Sequence, residues 1–335
     1  MTKCPSMHRN LVRLAVTLTV AVLSYGCADG GTDPVLVGAE TPAAALPIGS
    51  FADALCSATP EEASSLDEYL STVLEVEAGL QGRSAMFFEA FFRSQAREPD
   101  VGRLLEEHMF AMGDLARPFA DALGTACGIA PPAEAELHHA ALLELYGSIA
   151  VLGETWDPNG LTLAFAQQLF GAVESFGQLT AFGQSLIGDA LADHDGALSQ
   201  YLAALIETRL SLVEAASELG LHRVFAAPVA NDAAALEELL AWLKVFAPRF
   251  ERLQPPPEAR GLHQLQLDTH GAQIHQTRQD LAAYELLLAA ERGEVPHAEW
   301  FQANLDVGVA TADLIAQQAK LSESWYRLTR AELLD

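Results

Sequence analysis

Two histidines seven residues apart are the side chains of this sequence best placed to do chemistry. His263, His270 and Thr277 recur at intervals of seven, so a helix would stack them on one face. Apolar residues continue the same face toward residue 288, which indicates packing against other helices. A buried imidazole needs a hydrogen-bond partner, and we expect one for each histidine on a facing helix. The pattern is typical of a polar layer that fixes helix register, and a metal or ligand site is the alternative.

A second candidate group consists of Glu136, His138 and His139. Glu136 and His139 are three residues apart, the spacing at which helices of di-metal bundles present a carboxylate and an imidazole to one ion. Such a site needs a second pair, and a proline interrupts the only other one, between Glu294 and His297. The group therefore offers candidate ligands for a divalent metal, and an exposed first helical turn is the alternative.

No motif in the sequence identifies a reaction. The P-loop, the G-x-G-x-x-G turn, the H-E-x-x-H zinc motif and the C-x-x-C pair are all absent. The segment 183–188 differs from a nucleophile elbow by one residue and lies in a helical run. We therefore assign no catalytic residue and predict no cofactor.

The first 27 residues have the layout of an export signal. Lys3, Arg9 and Arg13 precede an apolar run at 14–25, which is shorter than the roughly 20 residues of a membrane-spanning helix. The run ends in Leu23-Ser24-Tyr25-Gly26-Cys27, which resembles the lipobox of bacterial lipoproteins. This resemblance covers the leading segment alone. It implies a signal peptide at 1–26, cleavage before Cys27 and a palmitate-type lipid anchor on that cysteine.

The residues after Cys27 extend this expectation. Residues 27–50 are rich in Gly, Pro, Ala and Thr, a composition that predicts a flexible tether between the membrane and a folded domain. In enteric bacteria an aspartate after the anchor cysteine retains a lipoprotein in the inner membrane. Because Ala28 stands there, the resemblance implies the outer membrane, on its periplasmic or surface face, rather than the inner membrane.

Charge and cysteine content narrow the partners and the compartment. The whole chain carries a formal charge of −26, and the basic signal contributes three positive charges and no negative ones. Such an acidic mature chain repels nucleic acid, so we expect no nucleic-acid partner and leave a protein partner in the envelope open. Cys56 and Cys127 are the remaining cysteine pair after the signal and the anchor. In an exported protein we expect them to form a disulfide, and two free buried thiols are the alternative.

Helix formers dominate the mature chain, and the alternation of apolar and polar residues that is typical of strands is absent. We therefore predict an all-α fold. Capping residues, prolines and glycines place about nine helices at 60–82, 84–97, 99–124, 132–155, 160–190, 195–219, 232–253, 257–292 and 296–333. Long helices with short connections favour one or two antiparallel bundles, which we divide into the regions 51–190 and 191–335.

Two short segments occur twice. Residues 131–138 (PPAEAELH) resemble 256–263 (PPEARGLH), and residues 66–70 (LDEYL) resemble 198–202 (LSQYL). An internal duplication would explain both matches, and chance similarity in a chain rich in Ala, Leu and Glu is the alternative.

Together these features favour a lipid-anchored, all-helical envelope protein that acts as a non-catalytic binding or scaffolding module. One alternative is a metal- or cofactor-binding bundle with redox or hydrolytic activity that uses its buried histidines. Another is a periplasmic domain that binds a small ligand between its helices.

Replacing the anchor cysteine tests the expected attachment. In a Cys27→Ser variant the sulfur that would carry the lipid is lost, so the protein should leave the membrane fraction and should no longer incorporate labelled palmitate. Cell fractionation with immunoblotting checks this. If Cys27→Ser left the mature protein membrane-bound, the lipid anchor would be ruled out and residues 14–25 would have to be interpreted as an anchor.

Overall fold

A computed structural model describes residues 56, 65–95, 117–154, 179, 182–218 and 229–334. Helix accounts for 89% of these residues and none of them is in a strand, which confirms the all-α prediction. Among the described helices, none is long and apolar enough to cross a membrane.

The helices are numbered in chain order. They are α1 (Leu66–Gln95), the described part of α2 (117–126), α3 (Glu136–Glu154), the described part of α4 (182–192), α5 (Ala197–Glu218), α6 (Val229–Glu251), α7 (Arg260–Glu291) and α8 (His297–Leu334). Short 3₁₀ turns at Ala133–Ala135 and Pro257–Ala259 lead into α3 and α7.

The start of α1 is fixed by a capping box. The Ser65 hydroxyl accepts the backbone N–H of Glu68, and the Glu68 carboxylate accepts the backbone N–H of Ser65. Beyond the box α1 continues unbroken past Gly82, so the predicted division into helices 60–82 and 84–97 was wrong. One glycine costs a helix only about 1 kcal/mol, and burial of the apolar Leu80 side chain two residues earlier offsets that cost. The predicted start near residue 60 lies outside the described residues.

Double prolines give α3 and α7 the same beginning. Pro132 and Pro256 have nearly equal backbone angles (φ −68°, ψ 162° and φ −63°, ψ 164°). The proline ring fixes φ in both, and both residues are extended at ψ. Each leads into a 3₁₀ turn that buries an alanine completely, Ala135 in one case and Ala259 in the other. These two helix starts confirm the sequence prediction, while the internal duplication stays a prediction.

The end of α7 and the connection to α8 also follow the sequence. Gly293 adopts the left-handed conformation with φ +75°, and the next N–H, that of Glu294, returns to the Ala289 carbonyl. A residue with a Cβ would be strained there. This glycine lets the chain reverse, so that α8 begins at His297.

The long helix α8 is the centre of the packing. It packs extensively against α1 and α7, and α7 in turn packs against α6. The largest core cluster contains Tyr69 and Leu145 from one predicted region and Leu202 and Trp325 from the other, so the two regions share a core. The arrangement in one or two antiparallel bundles stays a prediction.

The most buried face of α7 is one residue away from the face that the sequence suggested. It runs through Leu262, Gln266, Thr269, Gln276 and Asp280 and continues in apolar residues to Ala290. Gln276 donates its side-chain N–H to the Asp280 carboxyl group. This burial raises the pKa of Asp280 to about 8, although the hydrogen bond from Gln276 lowers it in part.

A disulfide joins Cys56 to Cys127, as the cysteine count predicted. The two Cα atoms are 5.2 Å apart, within the usual range for a disulfide. Cys127 is partly buried against the main core just after α2, so the bond ties a residue upstream of α1 to the core.

Loss of the disulfide should weaken the fold. Because the bond closes a loop between residues 71 positions apart, a Cys127→Ala variant should lose about 4 kcal/mol of unfolding free energy in the chain-entropy model. Urea denaturation measures this, and reduced wild-type protein should unfold at the same midpoint as the variant. A reductant that destabilises the Cys56→Ala, Cys127→Ala double variant would contradict this origin of the effect.

The buried acid in α7 should make stability depend on pH. In the folded protein the Asp280 carboxyl group binds its proton more tightly than in the unfolded chain. The stabilisation that this proton gives to the fold is therefore complete below about pH 4 and is lost as the pH rises to about 8. One pKa unit corresponds to about 1.4 kcal/mol. An Asp280→Asn variant should therefore gain stability over wild type by several kcal/mol across this range, as measured by urea unfolding at each pH.

The matched control is Asp268→Asn, an exposed aspartate on the same helix. It should leave the pH profile of wild type unchanged. A parallel profile for Asp280→Asn and wild type would mean that Asp280 is ionised in the folded protein.

Candidate functional site

The three polar residues predicted on α7 lie at three separate contacts. His270 is 4% exposed and donates its Nε2 proton to the Leu243 carbonyl of α6 over 2.8 Å. His263 is half-buried, with Nδ1 3.2 Å from the Tyr201 hydroxyl of α5. Thr277 is buried and donates to a carbonyl of its own helix, that of Gln273. Each histidine therefore has a partner on a facing helix, but the structure does not bring the three side chains together at one site.

The second predicted group divides between surface and interior. Glu136 is exposed, whereas His138 and His139 are both buried. The interpretation as an exposed first turn therefore fails for the two histidines, because this turn packs against Tyr69 of α1. Within the described residues no group of three or more His, Cys, Asp or Glu side chains could hold a metal ion.

A cavity of about 140 Å³ lies among the helices, and its lining combines apolar and polar side chains. Every described helix except α2 contributes to its wall. A cavity of this volume holds several water molecules or an organic molecule about the size of benzene. Its polar lining residues are Glu77, Gln81, Ser84, His138, Gln184, Arg209, Gln266, Thr269, His270, Gln273, Gln318, Ser322 and Tyr326.

Arg209 supplies a positive charge to this cavity. Its Nε and Nη2 atoms both donate to the side-chain oxygen of Gln266, at 3.0 and 2.6 Å. Its guanidinium lies over the Trp325 ring, 4.7 Å from the ring centre. Desolvation lowers the pKa of Arg209 to about 10, so the group remains a cation at neutral pH. No carboxylate in the described part of the chain forms an ion pair with it.

Glu77 is the acidic side chain of the cavity wall. It accepts a hydrogen bond from the Tyr326 hydroxyl, 3.3 Å from its Oε2 atom. Burial raises the pKa of Glu77 to about 7, and the bond from Tyr326 opposes that rise. The carboxyl group therefore changes charge near neutral pH, depending on what lies beside it.

His138 contributes a polar atom from α3. Its Nδ1 atom is 2.9 Å from the Tyr69 hydroxyl, and burial keeps that phenol protonated by raising its pKa. Burial also lowers the pKa of His138 to about 4, so the imidazole is neutral. If the phenol donates to Nδ1, the imidazole proton lies on Nε2, which has no hydrogen-bond partner among the described residues.

Gly183 leaves the space that His138 occupies. A Cβ atom at this position of α4 would lie 2.9 Å from His138 Nε2, closer than real contacts allow. The missing side chain therefore permits α4 to approach α3 closely at the cavity wall.

Further polar atoms of the wall are also left without partners. Thr269 Oγ1 on α7 and Gln318 Oε1 on α8 are buried and have no hydrogen bond within the described structure. Thr269 itself is only 6% exposed. An unpaired buried polar group costs roughly 1–3 kcal/mol, so a cavity that carries several of them is suited to a polar occupant.

Sequence reasoning missed most of this site, including Arg209, Glu77 and Gln266. Their helical spacing was visible, but polar residue types on a helix are usually assigned to its solvent-facing side.

Comparison with models of protein families, with proteins of curated function and with solved structures gives no match in any of the three cases.

Proposed function

We propose that this protein is a lipid-anchored binding protein of the cell envelope that holds a small anionic molecule in its central cavity. The observation that carries the proposal is the Arg209 guanidinium, which lines the cavity and has no carboxylate partner in the described structure. A lipid on Cys27 and the tether at 27–50 would hold the helical domain at a membrane. Ala28 favours the outer membrane over the inner one.

The electrostatic cost of Arg209 supports a ligand with a negative group. A charge removed from water costs several kcal/mol unless a counter-charge lies beside it. Gln266 offers only one neutral oxygen, and the guanidinium has five N–H donors in all. The remaining donors suit a carboxylate, which a guanidinium can bind through two parallel hydrogen bonds.

The rest of the wall suits a small organic body attached to that anion. Leu70, Leu74, Phe250 and Ile315 give apolar surface, while Thr269 and other unpaired groups can hydrogen-bond the ligand. Ligand sites commonly combine a mostly apolar lining with a few polar groups that fix orientation. Binding without chemistry agrees with a sequence that contains no catalytic motif.

Removing the positive charge of Arg209 should remove binding. The change is Arg209→Met, which keeps an unbranched apolar stem but deletes the guanidinium. Truncating one member of a buried charge pair costs about 2–5 kcal/mol, so affinity for small carboxylates should fall by roughly 30-fold or more. Calorimetric titration with a panel of C2–C6 carboxylates, selected first by thermal shift, measures the loss.

The matched control is Arg83→Met, in which an exposed arginine of α1 paired with Asp121 is replaced. It should bind as wild type does. Metal analysis of the purified protein separates the metal-bundle alternative, since stoichiometric metal that disappears in a His263→Ala, His270→Ala double variant would overturn the proposal. Equal carboxylate affinities for wild type and Arg209→Met would overturn it as well.

A further inference from the structure

The cavity has a second charged side chain, and its position is related to that of Arg209. Arg209 lies eight residues after Tyr201 on α5, and Glu77 lies eight residues after Tyr69 on α1. Both side chains line the same cavity. Two helices therefore present side chains of opposite charge from corresponding positions.

The correspondence of the two tyrosines rests on their contacts as well as on the sequence. The Tyr69 hydroxyl lies 2.9 Å from Nδ1 of His138, and the Tyr201 hydroxyl lies 3.2 Å from Nδ1 of His263. Each of these histidines is in the first turn of a helix that follows a double proline. The tyrosine–histidine contact that precedes Glu77 on α1 is thus repeated before Arg209 on α5.

Glu77 and Arg209 do not neutralise each other. Each is held by a neutral neighbour instead: Tyr326 donates to Glu77, and Gln266 accepts from Arg209. No cationic side chain of the described structure forms an ion pair with Glu77. Both charged side chains of the cavity wall therefore have capacity for a partner of opposite charge.

A ligand with only a negative group would leave Glu77 unexplained. An ionised Glu77 carboxylate would repel a bound anion and weaken its binding. A neutral amide or hydroxyl at that position would bind such a ligand more tightly. An ammonium group beside Glu77 has the opposite effect, because it favours the ionised carboxylate. Burial raises the pKa of Glu77 to about 7, so a modest influence of this kind is enough to ionise it at neutral pH.

We propose that the ligand is a small zwitterion, with its anionic group on Arg209 and an amino group on Glu77. This inference rests on the proposed function and adds the second charge of the ligand. The cavity volume of about 140 Å³ limits the ligand to the size of an amino acid or a short amino-carboxylic acid.

Pairs of probes that differ only in the amino group test the inference. The probes are 4-aminobutanoate against butanoate, 6-aminohexanoate against hexanoate, and alanine against propanoate, titrated calorimetrically at neutral pH. Varying the chain length allows for the separation of the two charges. At least one amino acid should bind wild type 10-fold or more tightly than its carboxylate counterpart.

The variants assign that preference to its residue. Glu77→Gln keeps the shape of the side chain and should remove the preference for the amino acid over the matched carboxylate. Carboxylate affinity should not fall, because the neutral amide no longer repels a bound anion. Glu75→Gln changes an exposed acid on the same helix and should bind as wild type does. Circular dichroism and thermal unfolding of each variant check that the fold is kept.

The outcomes separate this inference from the proposed function. Carboxylates that bind through Arg209 with no preference for their amino counterparts would overturn the zwitterion and leave the anion site in place. A preference that survives in Glu77→Gln would also overturn it. Absence of binding by every probe, in folded wild-type protein, would overturn both proposals.

Discussion

The contact of Arg209 with Gln266 and Trp325 is the interaction on which the interior of this protein depends. It joins α5 to α7 and α8, and it places a permanent cation where a helical protein would ordinarily bury aliphatic side chains. Leucine or methionine at residue 209 would fill the space at lower electrostatic cost. The buried amide of Gln266 and the adjacent aromatic ring are therefore the surroundings that make a partly buried guanidinium tolerable at the cavity wall.

Such an interior lowers stability, and other parts of the fold have to offset the loss. The Thr269 hydroxyl, which has no partner among the described residues, and the buried Asp280, which lies outside the cavity lining, both weaken the packed state at neutral pH. The shared apolar core, the long packing surface of α8 against α1 and α7, and the Cys56–Cys127 disulfide act in the opposite direction. Proteins commonly retain destabilising polar groups where a ligand is bound, because the ligand supplies the missing contacts.

The sequence predicted the elements of this fold better than its interior. Helix starts and stops follow local rules, so the double prolines and Gly293 could be interpreted without knowing the neighbours. The cavity depends instead on which side of α7 packs inward, and there Gln266, Thr269 and Asp280 have the composition of a solvated face. His138 was misjudged for a related reason, since burial in a first helical turn depends on α1 and α4, which are distant in sequence.

One signal for the site was nevertheless present in the sequence. The repeated segments align Tyr69 with Tyr201, and continuing that alignment by eight residues pairs Glu77 with Arg209. If the two halves arose by duplication, the ancestral pair would have carried the same residue twice, and two like charges on one cavity would repel each other. Opposite charges at corresponding positions remove that repulsion and make the two contributions to the lining different. Such a lining would bind the proposed zwitterion in one orientation, which a lining with two identical residues could not do.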